Sequence, residues 1–227
     1  MIWVAALFVV FSGSNVKPLL SERVAQRDGK NHPPPSFRRV FVTGAAGFIG
    51  SHLSVRLARE PSVETIVGID NFNDYYSVKL KQYRARRAED AGAKIVVGDV
   101  CDQNTTTVLF ARYRFTHVIH LAAQAGVRFS LRNPGAYITA NVMCTTALLE
   151  VIRKQPRPLP VYVYASSSSV YGHSGSAPFS EDHLIDQPAS LYALTKQSTE
   201  DLAYLYHHLY GIRSTGLRFF TVYGPWG

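Results

Sequence analysis

The stretch Arg39-Val-Phe-Val-Thr-Gly-Ala-Ala-Gly-Phe-Ile-Gly-Ser51 decides the fold that this sequence predicts. The apolar residues before Gly44 predict a short buried strand, and the periodicity of residues 48–60 predicts a helix directly after the glycines. Gly44 permits a tight turn, Gly47 lets the backbone approach a phosphate, and Gly50 lets the helix pack close to the strand. A pyrophosphate would lie at the helix N-terminus, where N–H groups and the helix dipole favour negative charge.

A carboxylate follows the next predicted strand, at the distance that a dinucleotide fold requires. The apolar run Thr65–Ile69 leads to Asp70, twenty positions beyond Gly50, where an acid binds the hydroxyls of an adenosine ribose. Asn71 follows it, and no arginine stands close by in the sequence to take a 2′-phosphate. The spacing therefore predicts NAD rather than NADP, whereas the glycines alone would also fit an ordinary turn before a helix.

Strands and helices alternate along residues 39–227. We expect strands at 40–43, 65–69, 94–98, 117–121, 161–166 and 214–219, and helices at 48–60 and near 77–91, 103–112, 135–154 and 190–210. This alternation predicts an α/β fold of the Rossmann type. Such a fold is a doubly wound parallel sheet whose ligand lies outside the carboxyl ends of the strands.

Composition and charge are those of a globular protein. The chain has 227 residues, of which 46% are hydrophobic and 18% charged, enough to bury a full core. A net charge of +8 would suit a nucleic-acid partner, but half of that excess lies before residue 40. We therefore expect a solvated basic surface and no nucleic-acid binding.

The cysteines and histidines predict no metal site. Cys101 and Cys144 fit neither a metal spacing nor a disulfide framework, so we expect each to be a small buried residue. His117 and His120 share a strand with apolar residues and have no further ligand beside them. We expect ordinary core or surface histidines at these positions.

An apolar run opens the chain. Residues 2–11 are almost wholly apolar, a length that is short for a bilayer span and suits a signal peptide or a shortened signal anchor. No basic segment precedes the run, so a merely hydrophobic N-terminus is the alternative. We expect residues 1–38 to form this leader and a flexible linker before the NAD-binding domain of residues 39–227. Secretory-pathway localisation with membrane attachment is slightly favoured over the cytoplasm.

Tyr192 and Lys196 stand four residues apart in the last long predicted helix, so both side chains project from one face. A cation beside a phenol, with an oxidised nicotinamide nearby, would lower the phenol pKa from about 10 and make a base for a sugar hydroxyl. Ser167, with Ser168 and Ser169 as neighbours, would hold that hydroxyl. A tyrosine and a lysine at this spacing are usually a surface pair, and the glycine motif and serine loop make them catalytic candidates.

Six longer runs carry a family resemblance: Gly44–Gly50, Asp70–Tyr76, His120–Arg128, Ser166–Gly172, Asp186–Ala193 and Leu217–Gly227. They resemble the extended short-chain dehydrogenase/reductases of the NAD-dependent epimerase/dehydratase family, most closely its UDP-glucuronate 4-epimerases. The resemblance implies a tightly held NAD, a UDP-sugar substrate and a homodimer in the full-length form. Members of the family continue well past the run at Leu217–Gly227, so we expect the substrate lobe to be largely missing from this chain.

The resemblance also implies the role of each site residue. The cofactor residues would be Gly44, Gly47, Phe48, Ile49, Gly50, Asp70, Asn71, Asp99, Val100, Leu121, Ala122, Ala123, Asn141, Tyr192 and Lys196. The catalytic residues would be Ser167, Tyr192 and Lys196, and the substrate residues Gln124, Arg128, Ser168, Ser169 and Thr221. Arg128 is the residue matched to a uronate carboxylate, because its guanidinium can donate two parallel hydrogen bonds.

Several functions are compatible with these residues. The leading one is 4-epimerisation of UDP-glucuronate to UDP-galacturonate by transient oxidation at C4. The others are 4-epimerisation of UDP-glucose, a sugar-nucleotide dehydratase or decarboxylase, and an NAD-binding module without turnover. Serines stand at 168 and 169, where dehydratases of the family carry an acid pair, and this favours epimerisation because a serine without an adjacent base is no general base.

Overall fold

The computed structural model describes residues 8–12, 37–173, 178–183, 185 and 187–227, the first of these ranges by its backbone only. Its strands are β1 (Phe8–Ser12), β2 (Arg38–Thr43), β3 (Val63–Asp70), β4 (Lys94–Val97), β5 (His117–His120), β6 (Val161–Ser167) and β7 (Ser214–Phe219). Its α-helices are α1 (Phe48–Ala58), α2 (Val78–Asp90), α3 (Gln103–Tyr113), α4 (Val127–Ser130), α5 (Pro134–Tyr137), α6 (Cys144–Arg153) and α7 (Leu191–Tyr210). A π-helical segment, Ile138–Met143, joins α5 to α6, and a 3₁₀ turn, Ser168–Tyr171, follows β6.

Six parallel strands form a doubly wound sheet in the order β7-β6-β5-β2-β3-β4. This order confirms the predicted fold class. The chain runs outward from β2 to β4, returns to β5 beside β2, and then runs outward to β7. The reversal at β2 and β5 creates the crevice in which doubly wound sheets bind ligands.

A seventh strand, β1, was not predicted. It pairs antiparallel with β7, from Phe8 opposite Phe219 to Ser12 opposite Thr215. A short apolar run suits a strand as well as a helix, and the outer edge of β7 offers N–H and C=O groups for pairing. The expected leader, residues 1–38, otherwise lies outside the described residues up to Ser36, and its targeting role stays a prediction.

The two faces of the sheet bury separate hydrophobic clusters. On one face Val42 of β2 and Ile66 of β3 pack with Val55 of α1. On the other face Phe41 and Val67 pack with residues of α3, α6 and α7, among them Leu148. Adjacent strand residues point to opposite faces, so helices must cover both sides of a parallel sheet. This burial holds the strand ends, where the polar residues lie, in fixed positions.

The helix predicted at 135–154 is interrupted by the π-helical segment. The whole stretch Pro134–Arg153 is the one described helix long and apolar enough, by length and composition alone, to cross a membrane. Its Tyr137, Leu148 and Ile152 are completely buried in the protein. We therefore interpret it as a core helix of the domain.

The expectation for the cysteines is wrong in one respect. Cys144 is buried as expected, but a disulfide joins it to Cys101. The two residues are 43 positions apart in sequence and meet because the fold brings the loop before α3 next to the first turn of α6. Two cysteines at such a separation form no recognisable sequence pattern, so the pairing could not be predicted.

Candidate functional site

The turn after β2 needs glycine at two positions. Gly44 has φ +67°, and a Cβ there would lie 2.8 Å from the backbone nitrogen of Ala122. A Cβ on Gly50 would overlap the carbonyl oxygen of Gly44. Helix α1 then begins at Phe48 with no side-chain cap and no acidic residue in its first turn. Its first N–H groups are therefore available to an anion such as a phosphate.

Asp70 lies at the carboxyl end of β3 and is almost completely buried. Its Oδ2 accepts a hydrogen bond from the N–H of Ala46 at 3.0 Å, and its Oδ1 accepts one from the N–H of Phe72 at 2.9 Å. The carboxylate therefore holds the glycine turn in place through the N–H of Ala46. Each oxygen retains a lone pair with which it could accept a further hydrogen bond.

A buried cation lies near Asp70, although the sequence around it suggested none. Burial lowers the pKa of Lys81, and the negative charge of Asp70 opposes this shift. The Lys81 ammonium donates to the carbonyl oxygen of Asn73 at 2.8 Å and to its side-chain oxygen at 2.7 Å. The lysine comes from α2, eleven positions beyond Asp70, and a reading of immediate sequence neighbours could not find it.

The residues expected around the adenosine lie side by side. Asn71 Nδ2 donates to Asp99 Oδ2 at 3.2 Å, and the N–H of Cys101 donates to Asp99 Oδ1 at 2.8 Å. Val100 is buried next to them. Ligand atoms of Asp99, Cys101 and Cys144 lie within 4.8 Å of one another. The two sulfurs are joined, so they present no thiolate to a metal ion.

A buried hydrogen-bond chain crosses the sheet between the two halves of the site. The Thr43 hydroxyl accepts from the N–H of Ala122 at 3.1 Å and lies 2.7 Å from His120 Nδ1. His120 Nε2 lies 3.0 Å from the hydroxyl of Thr145. Burial lowers the pKa of His120 to about 3, with a smaller contribution from Lys196. His120 is thus a neutral core histidine, as expected, and it ties β2, β5 and α6 together.

Asn141 lies in the π-helical segment, and both polar atoms of its side chain are hydrogen-bonded. Its Oδ1 accepts from the N–H of Gln124 at 2.8 Å, and its Nδ2 donates to the carbonyl oxygen of Gln124 at 3.0 Å and to Thr195 at 2.9 Å. The wider π turn interrupts the helix at this point, as such turns often do at functional sites. Asn141 therefore positions the Leu121–Gln124 segment after β5 and links it to α7.

Ser167, Tyr192 and Lys196 are brought together, as the sequence predicts. Ser190 caps α7 by accepting from the N–H of Ala193 at 3.0 Å, which fixes the register of the helix. Lys196 is 5% exposed, and its ammonium donates to the carbonyl oxygen of Ala165 at 2.8 Å. The same nitrogen lies 6.0 Å from the centre of the Tyr192 ring. The Ser167 hydroxyl lies close enough to the Tyr192 phenol to lower its pKa.

Burial and the neighbouring serine set the pKa of Tyr192 in this structure, and its lowering by Lys196 together with an oxidised nicotinamide stays a prediction. Burial raises the pKa of Tyr192, and the neighbouring Ser167 hydroxyl opposes this shift. Burial also lowers the pKa of Lys196 to about 8. The lysine ammonium donates to the carbonyl oxygen of Ala165 on β6 rather than to the phenol. Sequence spacing placed the two residues on one helix face but could not show this orientation.

A buried ion pair behind the serine loop was missed. Arg218 of β7 donates to Glu200 through Nε at 2.9 Å and through Nη2 at 2.8 Å, and Ser166 donates to the same carboxylate at 2.5 Å. The Arg218 guanidinium also lies 4.9 Å from the centre of the Tyr171 ring. The pair therefore holds both ends of the loop that carries Ser167. Charged residues inside otherwise apolar elements were the signal that could have found it.

The five expected substrate residues differ in exposure. Gln124 is buried, Ser168 and Ser169 are half-buried in the 3₁₀ turn, and Arg128 and Thr221 are exposed. Arg128 lies on the short helix α4, and Thr221 lies just beyond β7. All five follow the carboxyl ends of parallel strands, the edge that also carries the glycine turn and Asp70.

The chain matches proteins of one family along most of its length. Residues 40–227 match the NAD dependent epimerase/dehydratase family. The chain is 51% identical over 207 residues, 91% of its length, to "UDP-glucuronate 4-epimerase 2" of Arabidopsis thaliana. This agreement confirms the resemblance that the motifs predicted, and the family name agrees with the expected cofactor.

Solved structures give the same result. The UDP-glucuronic acid 4-epimerase of Bacillus cereus, in complex with UDP-glucuronic acid and NAD, is similar with a TM-score of 0.76 and 38% identity, over 82% of this chain and 58% of the other. The UDP-glucose 4-epimerase of Brucella ovis, in complex with NAD, is similar with a TM-score of 0.68 and 30% identity, over 78% of this chain and 50% of the other. The chain spans 45% of the length of the Arabidopsis relative.

Proposed function

The chain belongs to the NAD dependent epimerase/dehydratase family, and from that premise we propose that it binds NAD and epimerises a UDP-sugar at C4, with UDP-glucuronate and UDP-galacturonate as substrate and product. One observation carries the proposal. The uncapped start of α1, which glycines allow to pack close to the sheet, lies on the same sheet edge as buried Ser167, buried Lys196 and half-buried Tyr192. The first feature suits a dinucleotide and the second suits proton transfer at a sugar hydroxyl.

The residues present fit the cofactor. A Cβ at Gly44 or Gly50 would meet neighbouring backbone, so this tight turn requires glycine, and it leaves the first N–H groups of α1 without a side-chain cap and able to bind a pyrophosphate. In the proposal Gly44, Gly47, Phe48, Ile49 and Gly50 hold the pyrophosphate and Asp70 and Asn71 the ribose. Asp99 and Val100 flank the adenine, while Leu121, Ala122, Ala123, Asn141, Tyr192 and Lys196 line the nicotinamide end. When bound, NAD would take a hydride from C4 and return it to the opposite face.

Tyr192 is the proposed base for the C4 hydroxyl proton. Ser167, whose hydroxyl lies near the phenol and lowers its pKa, would hold that sugar hydroxyl in reach. Because burial raises the pKa of Tyr192, the base needs positive charge near it. Lys196, whose pKa burial lowers to about 8, is still mostly protonated at neutral pH, and its ammonium lies 6.0 Å from the centre of the Tyr192 ring.

Arg128, Gln124, Thr221, Ser168 and Ser169 are the proposed substrate contacts. The exposed guanidinium of Arg128 can bind a uronate carboxylate through two parallel hydrogen bonds. The serine loop, residues 166–173, contains no Asp or Glu. Without a carboxylate there, loss of water or carbon dioxide from a 4-keto sugar lacks a base, and this argues against the dehydratase and decarboxylase alternatives.

The experiment uses the longest form of the protein that its gene encodes. It is incubated with UDP-glucuronate, and in parallel with UDP-glucose, and the sugars are resolved by NMR. We expect UDP-galacturonate from UDP-glucuronate, and loss of at least about a hundredfold in rate in Tyr192→Phe. Turnover of UDP-glucose alone would overturn the role of Arg128, and release of UDP-xylose would overturn the serine argument. A protein that binds NAD but turns over neither sugar would instead be a non-catalytic NAD-binding module.

Exposed apolar side chains also suggest how the protein assembles. Exposed apolar side chains lie on neighbouring elements, among them Ile138 and Met143 of the π-helical segment and Leu194, Leu205 and Leu209 of α7. We propose that a second copy of the chain covers them in a homodimer. Sedimentation of the wild-type protein as a dimer and of Leu205→Lys as a monomer would support it, and a monomeric wild-type protein would contradict it.

The leader is proposed to direct the protein to the secretory pathway and to attach it to a membrane. The support is the apolar run at residues 2–11 and the disulfide, since disulfides persist in oxidising compartments. A reporter fused after residue 39 should fractionate with Golgi or endoplasmic-reticulum membranes. A reporter that stays in the cytosol would contradict both parts of the proposal.

A further inference from the structure

The disulfide joins two segments that the cofactor site depends on. Cys101 lies in the loop between β4 and α3, and Cys144 is the first residue of α6. They are the only two cysteines of the chain. Cys144 is 4% exposed, whereas Cys101 is half-buried. The bond is therefore within reach of a small thiol from the Cys101 side only.

The loop that carries Cys101 is attached to β3 on one side and to α6 on the other. Its strand, β4, has four residues and lies at one edge of the sheet, where it pairs with β3 and with no other strand of the described residues. Val97 at its end is 75% exposed. On the β3 side the loop is attached by hydrogen bonds from the N–H of Gly98 to the carbonyl oxygen of Asp70 at 3.0 Å and from Asn71 to Asp99 at 3.2 Å, and Val100 packs in the core. On the other side the disulfide attaches it covalently to α6.

The contacts of the two cysteines reach both ends of the proposed cofactor site. The N–H of Cys101 binds the Asp99 carboxylate, which in turn accepts from Asn71. On the other side, Cys144 directly follows the π-helical segment of Asn141 and precedes Thr145, which is hydrogen-bonded to His120. Movement of the loop would therefore displace Asp99 and Asn71, the proposed adenosine contacts.

We propose that the Cys101–Cys144 disulfide is a thiol-controlled clasp on the adenosine end of the NAD site. The oxidised protein holds the Asp99 loop in its binding position. The reduced protein must order that loop when NAD binds, and its affinity is lower for this reason. The inference rests on the proposed NAD site.

The exchange chemistry needs only a small dithiol or disulfide. A thiolate of a dithiol attacks Sγ of Cys101, the Sγ–Sγ bond breaks, and Cys144 leaves as a thiolate that takes up a proton. The second thiol of the reagent then attacks the mixed disulfide and releases Cys101. The protein gains two electrons and two protons, and the dithiol becomes a cyclic disulfide. Oxidised glutathione reverses the reaction and is itself reduced to two thiols.

The test measures NAD affinity in both redox states. The 227-residue protein is titrated calorimetrically with NAD before and after treatment with dithiothreitol, and alkylation with mass spectrometry counts the free thiols. We expect no free thiol before reduction and two after it. We also expect NAD affinity about fivefold lower after reduction, the cost of ordering roughly one residue. The double variant Cys101→Ser/Cys144→Ser is the matched control and should bind weakly in both conditions.

Each other result overturns the clasp. Two free thiols in protein purified in air would show that the bond does not form. Equal NAD affinities in the two redox states, or a dithiothreitol effect that persists in the double variant, would show that the bond does not act on the site. Loss of the far-ultraviolet dichroism of the whole protein on reduction would mark a general structural disulfide instead. Absence of NAD binding in both states would refute the proposed cofactor site, and the clasp with it.

Discussion

The cofactor half and the catalytic half of this sheet edge are built by different means. At the turn after β2 the geometry comes from backbone contacts, since Gly44 and Gly50 allow contacts that a Cβ would forbid and α1 begins uncapped. Between β5 and β7 it comes from buried polar side chains, such as Lys196 on Ala165 and Arg218 on Glu200. Backbone requirements restrict residue type at fixed spacing, whereas buried networks depend on partners far apart in sequence.

The buried ion pair should be the most sensitive point of the catalytic half. Glu200→Gln removes the charge that faces Arg218, whose side chain is 3% exposed. An uncompensated buried cation costs about 3–5 kcal/mol, so urea denaturation should show a loss of stability of this size. The matched control is Glu60→Gln, which breaks an exposed pair with Arg56 and should cost less than about 1 kcal/mol. Equal losses in the two variants would contradict a special role for the buried pair.

One methyl group added to the glycine turn should weaken NAD binding. Gly50→Ala places a Cβ against the carbonyl oxygen of Gly44, and both groups belong to the backbone, so the turn must shift. We expect NAD affinity to fall about a hundredfold, measured by calorimetry. Gly135→Ala is the control, because a Cβ there meets nothing within 4 Å. Unchanged NAD binding in Gly50→Ala would show that the turn does not approach the cofactor.

The hydrogen-bond chain that joins the halves should give the protein a pH-dependent stability. Burial lowers the pKa of His120 to about 3, so below pH 6.5 the unfolded chain takes up a proton that the folded protein does not. The free energy of unfolding should therefore fall by about 2 kcal/mol between pH 6.5 and pH 5. His120→Gln should lose this part of the slope, whereas His208→Gln, at an exposed position, should keep it. A wild-type slope in His120→Gln would contradict the assignment.

The same division explains what the sequence could predict. The glycine spacing and Asp70 indicated the fold and the cofactor end, because one residue type is required at each of these positions. Tyr192 and Lys196 were found through their helical spacing, but the direction of the Lys196 ammonium was not. The disulfide, the π turn at Asn141 and the pair of Glu200 with Arg218 depend on contacts between distant segments. Local sequence patterns do not predict such contacts.

The most direct test of the account compares NAD with NADP on the purified protein. The central claim is that Asp70 and the glycine turn form the adenosine end of an NAD site. A 2′-phosphate beside the Asp70 carboxylate would meet like charge, so calorimetry at one salt concentration should give NAD an affinity at least about tenfold higher than NADP. Equal affinities would contradict the claim and would point to the buried Lys81 ammonium as a phosphate partner.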